Sequence, residues 1–118
     1  MSDPSLVVLR GTLDLLILKA LSWGPAHGYA VAEWIERVTG DTLQIEEGSL
    51  YPALHRLDER GLIEAEWGVS GTNRRAKYYD ITSKGRLALK AESATWTRYA
   101  RAVFAALEAP AAHKPARV

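Results

Sequence analysis

The stretch from Gly48 to Leu62 combines residue types that can contact nucleic acid with a spacing that puts them on one helix. Leu50, Leu54 and Leu57 recur at helical spacing, which predicts an apolar stripe facing a core. Aromatic, imidazole and guanidinium groups are predicted on the opposite side, where they could meet phosphates and base edges. That side carries Tyr51, Pro52, His55, Arg56 and Glu59. Taken alone, this pattern would also fit an ordinary surface helix.

The residues that follow predict a hairpin with a basic tip. Ile63, Ala65 and Trp67 alternate with glutamates, which is the period-two pattern of a strand with one buried face. Residues 68–73 supply the turn, and Ala76–Ile81 is predicted to be the returning strand. A helix followed by a basic hairpin is the plan of a winged helix-turn-helix, which favours DNA binding over an ordinary surface helix.

Three cations, Arg74, Arg75 and Lys77, come directly after the predicted turn. Arginine forks suit a phosphate or a narrow minor groove. Cations also protect strand edges against aggregation, but that role explains one or two charges better than three. Lys84 and Arg86 are weaker candidates for phosphate contacts. The predicted DNA-binding residues are Ser49, Tyr51, Pro52, His55, Arg56, Arg74, Arg75 and Lys77.

The net charge supports an anionic partner once it is divided along the chain. The 118 residues carry a formal charge of +1, but residues 1–70 hold five Lys/Arg against eleven Asp/Glu, a net −6. Residues 71–118 hold ten against three, a net +7, so the basic excess begins at the hairpin. An asymmetry of this kind indicates an anionic partner, although a basic exposed helix can also serve solubility alone.

Other functions find no support in the sequence. The chain has no cysteine, and its three histidines lie in separate predicted elements without ligand spacing, so neither a metal site nor a cofactor is expected. No nucleophile elbow, phosphate-binding glycine loop or paired-carboxylate motif indicates an enzyme. The first residues lack the pattern of a signal peptide, and no apolar run reaches the length of a membrane span. A cytoplasmic protein with no membrane partner is therefore expected.

The predicted order of elements is helix, helix, helix, strand, strand, helix, an α+β fold that is mostly α. The first helix is predicted to be capped by Thr12, with the apolar residues 6–9 extending it or packing beside it. The second runs over 27–39, and Pro52 is expected near the first turn of the third. Residues 1–82 are predicted to form the winged helix-turn-helix domain, 83–108 a dimerisation helix capped by Thr82, and 109–118 a disordered tail.

The last helix carries an apolar seam suited to a second helix. Leu87 and Ala91 are expected to pack back on their own domain. A domain of this size cannot cover a helix of roughly 25 residues, about 38 Å long, so a symmetric dimer is predicted. The predicted dimer-interface residues are Leu89, Trp96, Tyr99, Ala100, Val103, Phe104 and Leu107.

Four segments in order resemble the PadR family of winged-helix transcriptional regulators. They are LRGTLDLLILKAL, GPAHGY, GSLYPALHRLDERGLI and RRAKYYDITSKGR, and they cover most of residues 9–86. The short chain is similar to the subfamily whose dimerisation region is a single C-terminal helix. The resemblance implies that the third helix is the recognition helix, that the hairpin is the wing, and that the stretch around His27 has a structural role.

The resemblance also implies how such a protein would act. It implies a homodimeric, effector-responsive repressor on a palindromic double-stranded DNA operator. It further implies flat aromatic effectors near the dimer core, where Trp96 could stack on one, although a plain dimer-core tryptophan is the more frequent case. The alternative from another class is a winged-helix protein–protein interaction module that does not bind DNA.

Overall fold

The computed structural model describes residues 6–7, 10–69 and 71–117. Its helices are α1 (Arg10–Leu21), α2 (Gly28–Val38), α3 (Glu47–Glu59) and α4 (Ser83–Leu107). Its strands are β1 (Leu6–Val7), β2 (Ala26–His27), β3 (Leu43–Gln44), β4 (Ile63–Val69) and β5 (Arg75–Ile81). The mostly helical α+β class and the long C-terminal helix predicted from the sequence are confirmed.

One apolar core joins the first three helices to the start of the hairpin. The stripe predicted on α3 is confirmed, because Leu50, Leu54 and Leu57 are all buried. The other buried side chains come from α1, α2, α3 itself, the loop before β4 and the two hairpin strands. They are Leu13, Ile17, Leu18, Leu21, Val31, Ile35, Ala53, Leu62, Ile63, Tyr79 and Ile81. This core fixes α3 against the hairpin, and so sets the position of both predicted DNA-binding elements.

The main sheet has the order β2-β5-β4 and is antiparallel throughout. In the hairpin Ile63 pairs with Ile81 and Val69 pairs with Arg75, so β5 begins one residue earlier than predicted. The strand β2 lies on the other side of β5, where His27 pairs with Tyr78. The sheet therefore ties the chain just before α2 to the hairpin.

The chain ahead of α1 differs from the prediction. Leu6–Val7 forms a short strand that runs parallel to Leu43–Gln44, and so it does not extend α1. Residues 8–9 lie outside the described residues. The helix itself begins at Arg10, so Thr12 lies inside it and is not its cap.

Both ends of α2 are defined by local structure, and α3 begins earlier than predicted. His27 Nδ1 accepts a hydrogen bond from the Ala30 N–H at 3.1 Å, so the structural role predicted for His27 is that of N-cap of α2. Gly40, with φ of 58°, follows the C-cap Thr39 in the left-handed conformation that commonly ends a helix. Pro52 lies one turn deeper in α3 than predicted, since that helix already begins at Glu47.

The first turns of α4 belong to the core and the rest projects from it. Thr82 Oγ1 accepts from the Gly85 N–H at 3.0 Å, which confirms the predicted cap. Leu89 packs against the core, whereas Leu87 is 71% exposed and Ala91 is exposed. The expected roles of Leu89 and Leu87 are therefore reversed, because the helix meets the hairpin through Gly85 and turns Leu89 inward. Within the expected tail, Ala111–His113 forms one 3-10 turn.

Candidate nucleic-acid interface

A groove of about 1040 Å³ lies between α3 and the hairpin, with the start of α2 at one end. It brings Tyr51 and His55 of α3 together with Arg74, Arg75 and Lys77 of the hairpin. The end of α3 and the whole of β4 separate the two α3 residues from the three hairpin cations in the sequence. The two groups share one surface because the core packs the hairpin against α3. Its remaining lining is His27, Gly28, Tyr29, Leu54, Asp58, Trp67, Gly71, Thr72, Ala76 and Tyr79.

The α3 side of the groove presents polar groups that solvent can reach. Tyr51, Pro52 and His55 are exposed, as predicted. His55 Nε2 lies 3.1 Å from Glu59 Oε1, one turn further along the helix. Ser49 is half-buried in the first turn, where its position beside the helix N-terminus agrees with the prediction. Tyr51 and His55 are therefore the two α3 side chains best placed to meet a ligand in the groove.

Arg56 does not belong to this surface, and its predicted place beside Tyr51 is wrong. Its Nη2 donates to Asp14 Oδ1 of α1 at 2.8 Å, and the two side chains are only 27% and 16% exposed. Arg56 and Tyr51 are five residues apart, which is about 140° around a helix of 3.6 residues per turn. The helical period alone therefore predicts that the two side chains lie on different faces of α3. The ion pair joins α3 to α1, and so Arg56 stabilises the position of α3 against the core.

The hairpin side of the groove is basic and aromatic. Arg74, Arg75 and Lys77 are exposed, in agreement with their predicted position near the tip. The Arg75 guanidinium carbon lies 4.6 Å from the centroid of the Trp67 ring, and Lys77 Nζ lies 5.9 Å from that of Tyr79. The expected burial of Trp67 is wrong, since the indole is 57% exposed. The hairpin extends past the helices at this point, so the face that is buried at Ile63 lies open at Trp67.

Tyr79 forms part of the floor of the groove. Burial, followed by the neighbouring Tyr51 and Asp58, raises the pKa of the Tyr79 hydroxyl above its ordinary value of 10.0. The phenol therefore stays neutral at physiological pH. It can act in the groove as a hydrogen-bond donor and acceptor, and carries no charge that would repel an anion.

Several groove residues were not identified from the sequence. Tyr29, exposed at the start of α2, and Asp58 of α3 line it, as do His27, Trp67 and Tyr79. For Asp58 a signal was present, because it lies seven residues after Tyr51 and so on the same helix face. Tyr29 reaches the groove through the pairing of β2 with β5, which the local pattern does not predict.

A second apolar surface runs along α4. Trp96, Tyr99, Val103, Phe104 and Leu107 are exposed, as the predicted seam requires, and Ala100 is half-buried. Trp96 and Tyr99 also line a cavity of about 360 Å³ against Gly11 and Leu15 of α1. Exposed apolar side chains that lie together along one helix are typical of an interaction surface.

In the part of the chain that the structure describes, no group of three or more His, Asp or Glu side chains is arranged to hold a metal ion. None of the described helices combines the length and apolarity needed to cross a membrane.

Comparison with known proteins places these features in one family. The sequence profile of the transcriptional regulator PadR-like family matches residues 17–91. A relative from Lysinibacillus sphaericus, named only uncharacterized protein X, is 34% identical over 89 residues, which are 75% of this chain and 82% of that one. The matched profile spans α2, α3 and the hairpin, and so includes every residue of the groove.

Solved structures agree in fold. A PadR family transcriptional regulator from Eggerthella lenta has a TM-score of 0.73 at 35% identity, covering 86% of this chain and 86% of that one. A PadR-like transcriptional regulator from Bacillus cereus has a TM-score of 0.73 at 29% identity, covering 86% and 97%. The arrangement of three helices, hairpin and long last helix is thus shared with these regulators.

Proposed function

The chain belongs to the PadR-like family of transcriptional regulators, and from this we propose that it binds double-stranded DNA in the groove between α3 and the hairpin. The observation that carries the proposal is the meeting of Tyr51 and His55 of α3 with Arg75 and Lys77 of the hairpin around one open groove. In this arrangement α3 enters the major groove, where aromatic and imidazole groups reach base edges. The hairpin cations contact the phosphate backbone or the adjacent minor groove.

The distribution of charge over the sheet supports this orientation. Arg75 and Lys77 line the groove, whereas Glu64, Glu66 and Asp80 line a second pocket on the sheet and do not line the groove. Asp58 and Tyr79 line both. Glu64 pairs directly with Asp80 across the strands, so their carboxylates share one face. DNA is attracted to the hairpin cations and repelled from the acidic face, which favours an approach of the duplex from the groove side.

We further propose that the regulator is a homodimer paired through α4. The exposed row from Trp96 to Leu107 needs a cover, and a second copy of the same helix supplies one that is matched in length and chemistry. Twofold symmetry would present the two α3 helices to half-sites about 34–36 Å apart on one side of the duplex, so a palindromic operator follows.

As a repressor, the dimer would occupy its operator in the cytoplasm and leave it when an effector changes the spacing of the two winged domains. The cavity beside Trp96 and Tyr99 is the proposed place for a flat aromatic effector, with the indole stacking on it. Titrating phenolic compounds at a fixed salt concentration tests this part. An operator affinity that no bound compound changes would contradict it.

Sequence reading by α3 is tested by selection from a random pool of duplexes. The wild type should enrich a defined sequence and bind it more tightly than a scrambled duplex of the same length. Tyr51→Phe together with His55→Ala should reduce that ratio about 5-fold or more, because each lost base contact removes discrimination. Arg37→Ala, an exposed position on α2 outside the groove, is the matched control and should leave the ratio unchanged. Enrichment of no sequence would favour a winged-helix module that binds protein instead.

A further inference from the structure

We propose that Trp67 is a positioning residue, which holds the Arg75 guanidinium over the face of its indole ring and so directs it towards the DNA backbone. The inference rests on the proposed DNA binding. The proposed role would explain why a tryptophan occupies an exposed position that does not pack in the core.

The register of the hairpin brings the two side chains together. Trp67 pairs with Lys77 and Val69 pairs with Arg75, so Trp67 and Arg75 are diagonal neighbours on one face of the two strands. The guanidinium carbon lies 4.6 Å from the ring centroid, which is within cation–π distance. Both side chains line the groove, so the contact lies on the proposed DNA surface and not behind it.

The indole contributes little that the fold needs. It is 57% exposed, and it does not belong to the core cluster or to the half-buried residues packed against that cluster. A smaller β-branched side chain would suit an exposed strand position equally well. What only an aromatic residue supplies here is a flat, electron-rich face for the guanidinium.

That face matters because a free arginine side chain is costly to immobilise. Its several rotatable bonds must be fixed when its fork meets a phosphate, and this ordering opposes binding. A cation–π contact formed in advance removes part of this cost, because the side chain is already held near the position in which it binds. No carboxylate within residues 6–7, 10–69 and 71–117 forms an ion pair with Arg75 that would compete for its guanidinium.

A second tryptophan provides an internal control. Lys19 Nζ lies 4.9 Å from the centroid of the Trp23 ring, which is also within cation–π distance. Trp23 is also exposed, but it lies after α1 and outside the groove. Trp23→Val therefore removes an exposed indole and its cation contact without touching the proposed DNA surface.

The test is a double-mutant cycle on DNA affinity. The probe is a fluorescein-labelled duplex of the sequence that the wild type enriches, and its anisotropy is measured at several salt concentrations. Trp67→Val should weaken binding about 3- to 10-fold, the cost of ordering one long side chain. It should leave the slope of log K against log salt unchanged, because no charge is removed. In an Arg75→Ala background the same change should cost less than about 2-fold, since the residue it positions is gone.

Two further variants guard against a trivial loss of folding. Trp67→Phe keeps an aromatic face and should retain most of the affinity, and Trp23→Val should retain all of it. In the free protein, the Arg75 side-chain protons should show an upfield ring-current shift by NMR that Trp67→Val abolishes.

The outcomes separate the inference from the function on which it rests. An equal loss on Trp67→Val with and without Arg75 would overturn the inference, because the ring would then act independently of the guanidinium. An unchanged affinity of Trp67→Val, or an absent ring-current shift, would overturn it as well. A wild-type protein that binds no duplex would refute the proposed function itself, and this is seen before any variant is made.

Discussion

At the scale of single residues, partners distant in sequence decide which polar groups are free to act. The side chains of Tyr51 and Arg56 both looked available from the sequence, yet only Tyr51 faces the groove. Arg56 is paired with Asp14, 42 positions earlier in the chain, and no local pattern reveals that contact. The apolar stripe of α3 was predictable, by contrast, because helical spacing alone determines it.

Replacing Arg56 should therefore affect stability more than DNA binding. Arg56→Met keeps the length of the side chain but leaves Asp14 half-buried without its cation. We expect the free energy of unfolding to fall by about 1–3 kcal/mol, measured by urea denaturation. The salt dependence of DNA binding should keep the wild-type slope.

Arg37→Met is the matched control, since the Arg37–Glu33 pair lies on an exposed helix surface and spans 3.9 Å. Exposed pairs of this kind add little to stability. If Arg56→Met instead reduced the salt dependence of DNA binding and left the free energy of unfolding unchanged, Arg56 would have to contact DNA.

At the scale of elements, long periodic segments were predictable and short ones were not. The four helices and the hairpin were each indicated by their own periodicity. The two-residue strands β1 and β2 were missed, because each forms only through a partner strand elsewhere in the chain. Trp67 was assigned to a buried face for a related reason. The alternation of apolar and polar residues predicts which side chains share a face of the strand. It does not predict how much of that face the helices cover.

The packing of α4 on the hairpin depends on Gly85. A Cβ at this position would overlap the carbonyl oxygen of Leu62 and crowd the Ile81 side chain, and the backbone of Leu62 cannot move aside cheaply. Gly85→Ala should lower the free energy of unfolding by about 1–3 kcal/mol or more, read from thermal denaturation.

Gly48→Ala provides the comparison within α3. A Cβ there meets no atom within 4 Å, so the change should be neutral or stabilise the protein by about 0.5–1 kcal/mol. If Gly85→Ala were equally harmless, the close approach of α4 to the hairpin described here would be wrong.

At the scale of the whole molecule, α4 makes the chain elongated, with extents of 65 × 38 × 22 Å. The exposure of its apolar side chains from Trp96 to Leu107 agrees with the sequence prediction, and their pairing with a second helix stays a prediction. The prediction was wrong near the N-terminal end of α4, where Leu89 packs against the core of its own domain. The apolar repeat continues through both regions, so the sequence alone does not mark where self-packing ends.

A charge in the middle of the exposed row on α4 should separate the proposed dimer. Val103→Glu should sediment as a monomer of 13.0 kDa, because an unpaired carboxylate would be buried between the helices. Ala94→Glu is the control, since nine residues place it on the opposite side of the helix. A wild type that is itself monomeric at the concentrations where it binds DNA would contradict pairing through α4.

The central claim is that the groove between α3 and the hairpin holds DNA, and the salt dependence of affinity tests it most directly. Log K for a selected duplex, measured by anisotropy against log salt, should fall linearly for the wild type. Arg75→Ala should reduce the steepness of that line by about 0.9, the value for one lost phosphate contact, while Arg37→Ala leaves it unchanged. Identical slopes for the wild type and Arg75→Ala would contradict the account.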